Sequence, residues 1–448
     1  MVWRARVFTA CALGPLFWAA SAHAESADSG LLGTMLDAGG GLRTDLARLG
    51  ITLAVTDSEN LLGNISGGVK QGATLQGATT ATLRIDTGAA FGLQGGTINV
   101  SALQIHGQNL SPAYLDDLQA ANGNEAEDAT RLWEAWYDQS FDAGRADLKL
   151  GQQSIDNEFM TSKYSGLFVN TMAGWPLIPS DDLYGGGPAY PLASLGARLQ
   201  LKPADNQAVL AGVFDDNPGG GGFAEDAQRL DATGGKFNLH TGALFIAEYQ
   251  FAINQPSVGQ FVQSAAVQPG LPGTYKIGFW YDTGAFPDQR YGTDGLSLAN
   301  PAGNGVPATH HGDYSIYAVM DQSIWQSKAD NSRSVNLFAR VMGAPAAQNL
   351  ISFSLNGGVT LAAPLPGRDN DQAGLDVGVG KVSGRAAGLD RDGRHYNGTN
   401  APVRTTETLV EATYQAQLSP SVILQPDIQY VINPGGGVLG PDGSKPKR

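Results

Sequence analysis

Cysteine is nearly missing from this chain, with Cys11 alone among 448 residues. Charged side chains are scarce as well, at 16% against about 25% in an average soluble protein. Basic residues are outnumbered, 28 Lys+Arg against 42 Asp+Glu, giving a formal net charge of -14. With no basic face to meet phosphates, a nucleic-acid partner is excluded. Beyond Ala24 no run approaches the ~18 apolar residues of a membrane-crossing helix. What is abundant is glycine, 60 residues, beside 23 prolines and 42% apolar residues. Such a chain is built of turns and short extended pieces, and it is apolar enough to fold.

The first residues read as an export signal, 1–24. Arg4 and Arg6 give a positive start, 7–20 is apolar, and Ala22-His23-Ala24 is a small-x-small cleavage site. Cys11 lies inside the apolar stretch and leaves with it, so the mature protein is expected to lack cysteine, and with it disulfides and thiol chemistry. An exported chain without a spanning helix is either soluble or a closed outer-membrane barrel, whose lipid face hides in alternation.

Period-2 alternation recurs in pieces of about ten residues bounded by Gly, Pro, Asn and Asp. Fifteen strands are expected, near 51–60, 74–86, 95–107, 129–141, 144–152, 192–202, 206–214, 240–254, 273–284, 312–326, 333–344, 349–362, 372–383, 404–417 and 420–432. In the piece from 81, Ala81, Leu83 and Ile85 share one face while Thr82, Arg84 and Asp86 share the other. Soluble one-sided sheets alternate likewise. Two features favour a transmembrane antiparallel β-barrel: mid-strand charges of both signs on the polar face, and aromatics near strand ends on the apolar face, such as Phe141, Phe214, Tyr249, Tyr281 and Tyr430. Leu42, Leu46 and Leu49 mark a short helix in an N-terminal segment, 25–50, ahead of the barrel at 51–432. Connections are unequal, with long ones at 155–191, 215–235, 255–272 and 285–312. The longest carries Phe159, Tyr164, Phe168, Trp175, Tyr184 and Tyr190, so it is expected to fold inward.

Four stretches, in order, carry a family resemblance. They are Gly41-Leu42-Arg43-Thr44 with Leu49-Gly50-Ile51, Leu61-Leu62-Gly63-Asn64-Ile65-Ser66-Gly67-Gly68, Leu132-Trp133-Glu134-Ala135-Trp136-Tyr137-Asp138-Gln139-Ser140-Phe141, and Leu424-Gln425-Pro426-Asp427-Ile428-Gln429-Tyr430-Val431-Ile432-Asn433-Pro434-Gly435-Gly436. In these the chain resembles the carbohydrate-selective porins of the OprB family. The resemblance implies a sixteen-stranded outer-membrane barrel, with a short helix before its first strand, through which sugars, glucose above all, diffuse. It departs from the family in lacking a last strand with an aromatic end. The chain stops at Lys445-Pro446-Lys447-Arg448, within the turn or tail 433–448, so a truncated or frameshifted member without its closing strand is expected.

A sugar is neutral and rich in hydroxyls, so a selective pore needs donors and acceptors beside an apolar surface for ring faces, with binding kept weak. The expected lumen positions are Arg84, Glu134, Asp138, Lys149 and Arg198, with Trp136 as a stacking ring, then Glu248, Lys276, Trp280, Asp282, Arg340, Glu411 and Asp427. The plainer reading of each charge is a salt-bridge lattice that stiffens the wall. No cofactor or metal is expected. Asp181-Asp182 and Asp215-Asp216-Asn217 read better as acidic turns than as Ca²⁺ ligands, and His310-His311 as a loop pair. The expected partners are sugars, outer-membrane lipid and the machinery that assembles barrels. The rival readings are an exported all-β glycoside hydrolase and a plugged structural or adhesin barrel.

Overall fold

The computed structural model describes residues 6–12, 41–254, 270–328 and 333–438. Fifteen antiparallel strands run in unbroken sequence: β2 (Ile51–Asn64), β3 (Gly72–Asp86), β4 (Gly96–Gly107), β5 (Ala129–Phe141), β6 (Ala146–Gln153), β7 (Ser194–Ala204), β8 (Gln207–Asp215), β9 (Ala243–Ile253), β10 (Gly273–Gly292), β11 (Pro307–Gln326), β12 (Ser334–Gly343), β13 (Ile351–Ala362), β14 (Gln372–Val382), β15 (Thr406–Ser419) and β16 (Val422–Ile432). Each pairs with its sequence neighbours. By themselves the fifteen form an open sheet. A short strand, β1 (Arg6–Ala12), occupies the seam, pairing Arg6 with Gln429 and Cys11 with Glu59, and so closes a sixteen-position barrel. The sixteenth position, expected to be vacant, is thus filled from the segment read as an export signal. The cleavage site Ala22–Ala24 and the end Lys445–Arg448 lie outside the described residues.

All fifteen expected strands are present. The alternation works because a closed wall has oil on one side and water on the other. On β10, Tyr275, Ile277, Phe279 and Tyr281 are exposed on the outer wall, while Gly278, Trp280 and Asp282 between them are buried on the inner one. No helix among the described residues is long and apolar enough to cross a membrane. The expected short helix is present as Leu42–Arg48.

The two ends of the barrel differ. One carries the connections 65–71, 108–128, 154–193, 216–242, 293–306, 344–350 and 383–405. The other carries 87–95, 142–145, 205–206, 254–272, 327–333, 363–371 and 420–421. The long connection expected at 255–272 therefore sits at the short-turn end, apart from the other long ones, and 255–269 lies outside the described residues. The long connection expected at 285–312 is mostly strand, because β10 and β11 extend past the rest of the wall to Gly292 and Pro307. That extension puts His310 and His311 in a strand instead of a loop, and His310 Nε2 lies 2.9 Å from Asp288 Oδ2. At 384–397 a helix of fourteen residues was not anticipated. Its Arg-, Asp- and Gly-rich sequence has no apolar stripe to reveal it.

One aromatic is on the wrong side of the expected girdle. Phe214 is 2% exposed and points inward, edge-on to Phe159 at 6.5 Å. The inner wall of β8–β12 is apolar there, with Leu210, Ile246, Trp280, Val319 and Met342 all buried, so alternation between oil and water fails as a guide to facing.

Candidate functional site: the lumen and its inward loops

What makes these inner faces apolar is a loop packed on them. Residues 154–193 lie against the lumen wall, and Phe159, Met160, Trp175, Leu177 and Ile178 share one buried cluster with β8–β12. Polar anchors ring the same loop. Glu134 of β5 accepts from Ser154 N–H (3.2 Å) and Glu248 of β9 from Met160 N–H (2.8 Å). Lys276 of β10 donates to Thr161 Oγ1 (2.8 Å). Asp321 of β11 accepts from Ser162 Oγ (2.6 Å) and from Lys163 and Tyr164 N–H. Arg340 of β12 donates to the carbonyls of Met160 (2.8 Å), Gly174 (2.9 Å) and Met172. Glu411 of β15 accepts from Val169 N–H (2.6 Å) and Asn170 N–H (3.2 Å), and Gln425 of β16 donates to Leu167 O (2.6 Å).

β14 contributes by having little side chain. A Cβ on Gly374 would come within 2.6 Å of Phe168 Cζ, one on Gly378 within 2.4 Å of Met172 Sδ, and one on Gly380 within 2.2 Å of Leu177 Cδ2. These inner-face glycines form a flat track on which the loop rests.

Sequence reasoning missed a second inward loop, 108–128. Leu118 and Gln119 N–H donate to Glu407 (both 2.9 Å), and Gln429 Nε2 donates to Ala121 O (2.8 Å). The two loops join each other through Thr171 N–H to Ala120 O (3.0 Å) and Gly123 N–H to Val169 O (2.9 Å). The apolar residues of 108–128, Leu110, Tyr114, Leu115 and Leu118, were the signal available, and Leu110 and Leu115 are buried with Leu62 and Ala121. Its Glu125 carboxyl holds Ser111 N–H (2.9 Å) and Ser111 Oγ (3.1 Å), and burial pushes its pKa up to about 7. The folded loop therefore favours the protonated form. Its stability contribution is complete below the ordinary carboxylate range near 4.5 and is lost as pH rises toward about 7. Amide exchange of 108–128 is expected to quicken over that window, by tenfold or more at the order-of-magnitude level. In Glu125→Gln the quickening should vanish. An equal pH response in both proteins would refute it.

All thirteen expected lumen residues lie on inner-facing register positions. They divide by exposure. Arg198, Glu248, Trp280, Asp282, Arg340, Glu411 and Asp427 are at most 4% exposed, covered by the loops or locked in pairs, so none is placed to meet a solute. Glu248, Arg340 and Glu411 hold the loop, and Trp280 packs beneath it. Arg84 is exposed, Glu134, Trp136 and Asp138 are partly exposed, and the side chains of Lys149 and Lys276 keep only 11% and 9% exposure. With half-buried Thr56, Thr80 and Thr82, those on β3, β5 and β6 make the open passage run along β2, β3, β5 and β6, whereas Lys276 stands on β10 and holds the loop.

Within this strip, charges are cross-linked. Glu158 of the loop pairs with both Lys149 and Arg198, and Arg198 also reaches Asp147 and, at 3.6 Å, Asp138. Lys149 Nζ sits 4.4 Å from the Trp136 ring centroid and Arg84 Cζ 6.0 Å away. A ring already faced by cations offers a sugar less stacking surface than the sequence suggested. A bulge between Ser101/Glu134 and Ala102/Leu132 turns both Trp133 and Glu134 inward, which period-2 reading cannot see.

The acidic turns are structural. Asp182 Oδ1 accepts from Leu350 and Ile351 N–H (2.8 and 3.2 Å), and Asp216 from Thr241 Oγ1 (2.6 Å). Burial, reinforced by Glu407, pushes Asp181 up to about 8. A cavity of about 650 Å³ lies away from the lumen, on the outer wall among Tyr249, Ile277, Phe279 and Tyr314.

A closed antiparallel wall with a narrowed, polar lumen is a pore, and comparison with known proteins says which kind. A family model described as carbohydrate-selective porin, OprB family, matches residues 70–445. The chain belongs to that family. It is a channel of the Gram-negative outer membrane and not an enzyme, which sets aside the hydrolase reading. It is similar to Porin B of Pseudomonas aeruginosa, 25% identical over 95% of this chain and 92% of that protein. It is also similar to the putative porin QuiX of Acinetobacter baylyi, 23% identical over 89% of this chain and 88% of that one. Its fold matches the high-pH structure of Pseudomonas putida OprB with a TM-score of 0.72, covering 88% of this porin and 97% of that chain at 19% identity.

Proposed function

We propose that this porin passes glucose-type sugars along the strip bounded by Arg84, Glu134, Trp136, Asp138 and Lys149. The observation that carries this reading is that these five retain exposure, while seven of the other expected residues are covered and Lys276 is held by the loop. Neutral hydroxyls of Thr56, Thr80 and Thr82 and paired charges of both signs can replace a sugar's water without holding an ion. Substituting Arg84 or Glu134 by Ala should change glucose entry in liposome-swelling assays by severalfold with little loss of folded protein. Unchanged rates in both variants would show that the strip does not limit flux.

The export signal 1–24 belongs to the same proposal. Cleavage after Ala24 would remove β1, leaving the facing edges of β2 and β16 as the seam where closure of the mature barrel is decided, since unpaired backbone groups are costly in lipid. The expected result of N-terminal sequencing of the membrane-inserted protein is Glu25. A start at Met1 would keep β1 in the wall.

A further inference from the structure

Four buried carboxylates gather at the long-loop end of the barrel with no basic side chain to answer them. Asp216 follows the end of β8, Asp282 and Asp313 stand directly opposite each other on β10 and β11, and Asp182 comes from the inward loop 154–193. Asp182 is 1% exposed and the other three 0%. Each uses one oxygen within the chain. Asp182 Oδ1 accepts from the N–H groups of Leu350 and Ile351, Asp216 Oδ1 from the Thr241 hydroxyl, Asp282 Oδ1 from Gly284 N–H at 2.7 Å, and Asp313 Oδ1 from the amides of Gln348 and Asn349 at 3.0 and 2.8 Å. The second oxygen of each has no partner, and neither has the buried Oδ1 of Asn349. No described Lys or Arg pairs with any of the four, and Arg290, Arg385 and His310 at this end are held by Asp392 and Asp288.

The oxygens converge where two side chains are absent. A Cβ on Gly284 would stand 2.8 Å from Asp216 Oδ2 and 3.0 Å from Asp282 Oδ1, and one on Gly242 2.4 Å from Asp216 Oδ2 and 2.9 Å from Thr283 Oγ1. Neither glycine has a positive φ, so what each supplies is room beside oxygen. Tyr184 roofs the space. Its Cε2 lies 3.0 Å from the same Cβ position on Gly284, and its ring packs on Phe223 and Phe286 at 5.2 and 5.4 Å. Phe223 also lines a polar cleft of about 440 Å³ with Asp181 and Glu225, a route of entry from outside. Like charges directly opposite on a sheet are destabilising, and a buried charge without a counter-charge is costly. Carboxylates so placed need positive charge that the chain itself does not supply.

We propose that Asp216, Asp282 and Asp313 bind one Ca²⁺ ion beneath Tyr184. The donors on offer are oxygens only, three carboxylates with the Thr283 hydroxyl and the Asn349 amide, and such a set suits a hard cation. They come from a turn and two strands in no regular octahedron, which Ca²⁺ tolerates and Mg²⁺ does not. Among the described residues no three acidic or imidazole groups already stand at ligand distance, so binding draws the free oxygens inward. The turn after β8 is no site alone; β10 and β11 make it one. Once bound, the ion ties that turn to both strands, and its charge also offsets Asp182, so the inward loop seats more firmly on the wall. The inference is independent of which solute passes through the lumen.

The test uses the full chain in mild detergent, stripped with EGTA and titrated with Ca²⁺ alone. Calorimetry should show one saturable site per chain. Ca²⁺ should raise the midpoint of the heat-modifiable gel shift by about 5 °C or more, as a ligand that binds only the folded state does. Asp216→Asn combined with Asp282→Asn should weaken binding at least tenfold and invert the order of stability. In EGTA, where repulsion is relieved, the double variant should outlast the unsubstituted protein; in saturating Ca²⁺ it should melt first. Asp205→Asn, fully exposed at the short-turn end, should leave both readings unchanged. No saturable uptake, an equal loss in Asp205→Asn, or a double variant more stable in both conditions, as protons shared between the carboxylates would give, would each overturn the proposal. Should the double variant not fold, Asp313→Asn is read by the same criteria.

Discussion

Arg340→Met is expected to raise single-channel conductance several-fold, with the barrel still folded. The guanidinium is 2% exposed and donates to three loop carbonyls, those of Met160, Met172 and Gly174, while Asn356 Oδ1 holds its Nε at 3.1 Å. It clasps two separate turns of the same loop to one strand. Hydrogen bonds to a charged group contribute about 1.5–3 kcal/mol each, and a buried carbonyl left without a donor costs a further ~1–3 kcal/mol. Methionine fills the space but offers no donor, so the loop gains more by returning its carbonyls to water than by staying. The wall itself loses nothing, because the β11–β12 and β12–β13 ladders are backbone bonds. Planar-bilayer recordings check the expectation, with heat-modifiable gel mobility as the control for folding. Conductance equal to that of the unsubstituted protein would show that the loop stays seated without its clasp.

Gly378→Leu should open the passage by a different route, through volume instead of lost bonds. The first added carbon already falls 2.4 Å from Met172 Sδ and 2.7 Å from Gln119 Oε1, so both inward loops are struck at once. Overpacking costs about 1–3 kcal/mol in a well-packed core, and here the looser partner is the loop, since β14 is fixed by ladders on both sides. Protease sites within 154–193 should become cleavable and glucose flux should rise at least twofold. Gly378→Ala should give a smaller change of the same sign. A leucine variant with wild-type flux and an uncut loop would mean that the glycine track does not seat it.

How much of this could be read beforehand follows from where the two solvents meet. Where a strand separates lipid from water, as at Leu83/Arg84, alternation names both the strand and its facing. Where a strand separates lipid from the packed loop, both faces are apolar, and Phe214 was placed on the wrong one. The chemistry of the lumen residues was legible in part: inward position was, but not coverage, because Glu248 and Arg340 look like pore charges until the partners 88 and 180 residues away in the chain are known. The bulge at Trp133 and the helix at 384–397 left no periodic trace. The loop 108–128 carried a weaker apolar signal than 154–193, in Leu110, Tyr114, Leu115 and Leu118, and its hold by Glu407 joins residues far apart in the chain.

The anchoring of 154–193 carries a further consequence for biogenesis. Val169 is fastened by Glu411, a residue 242 positions later, so the constriction can tighten only after the last strands have been laid down. Any half-finished cylinder is then a wide hole, and the cell meets its leakiest form during insertion. Substitutions that merely delay completion, with no change in the finished channel, should sensitise the bacterium to bulky antibiotics that the mature pore excludes.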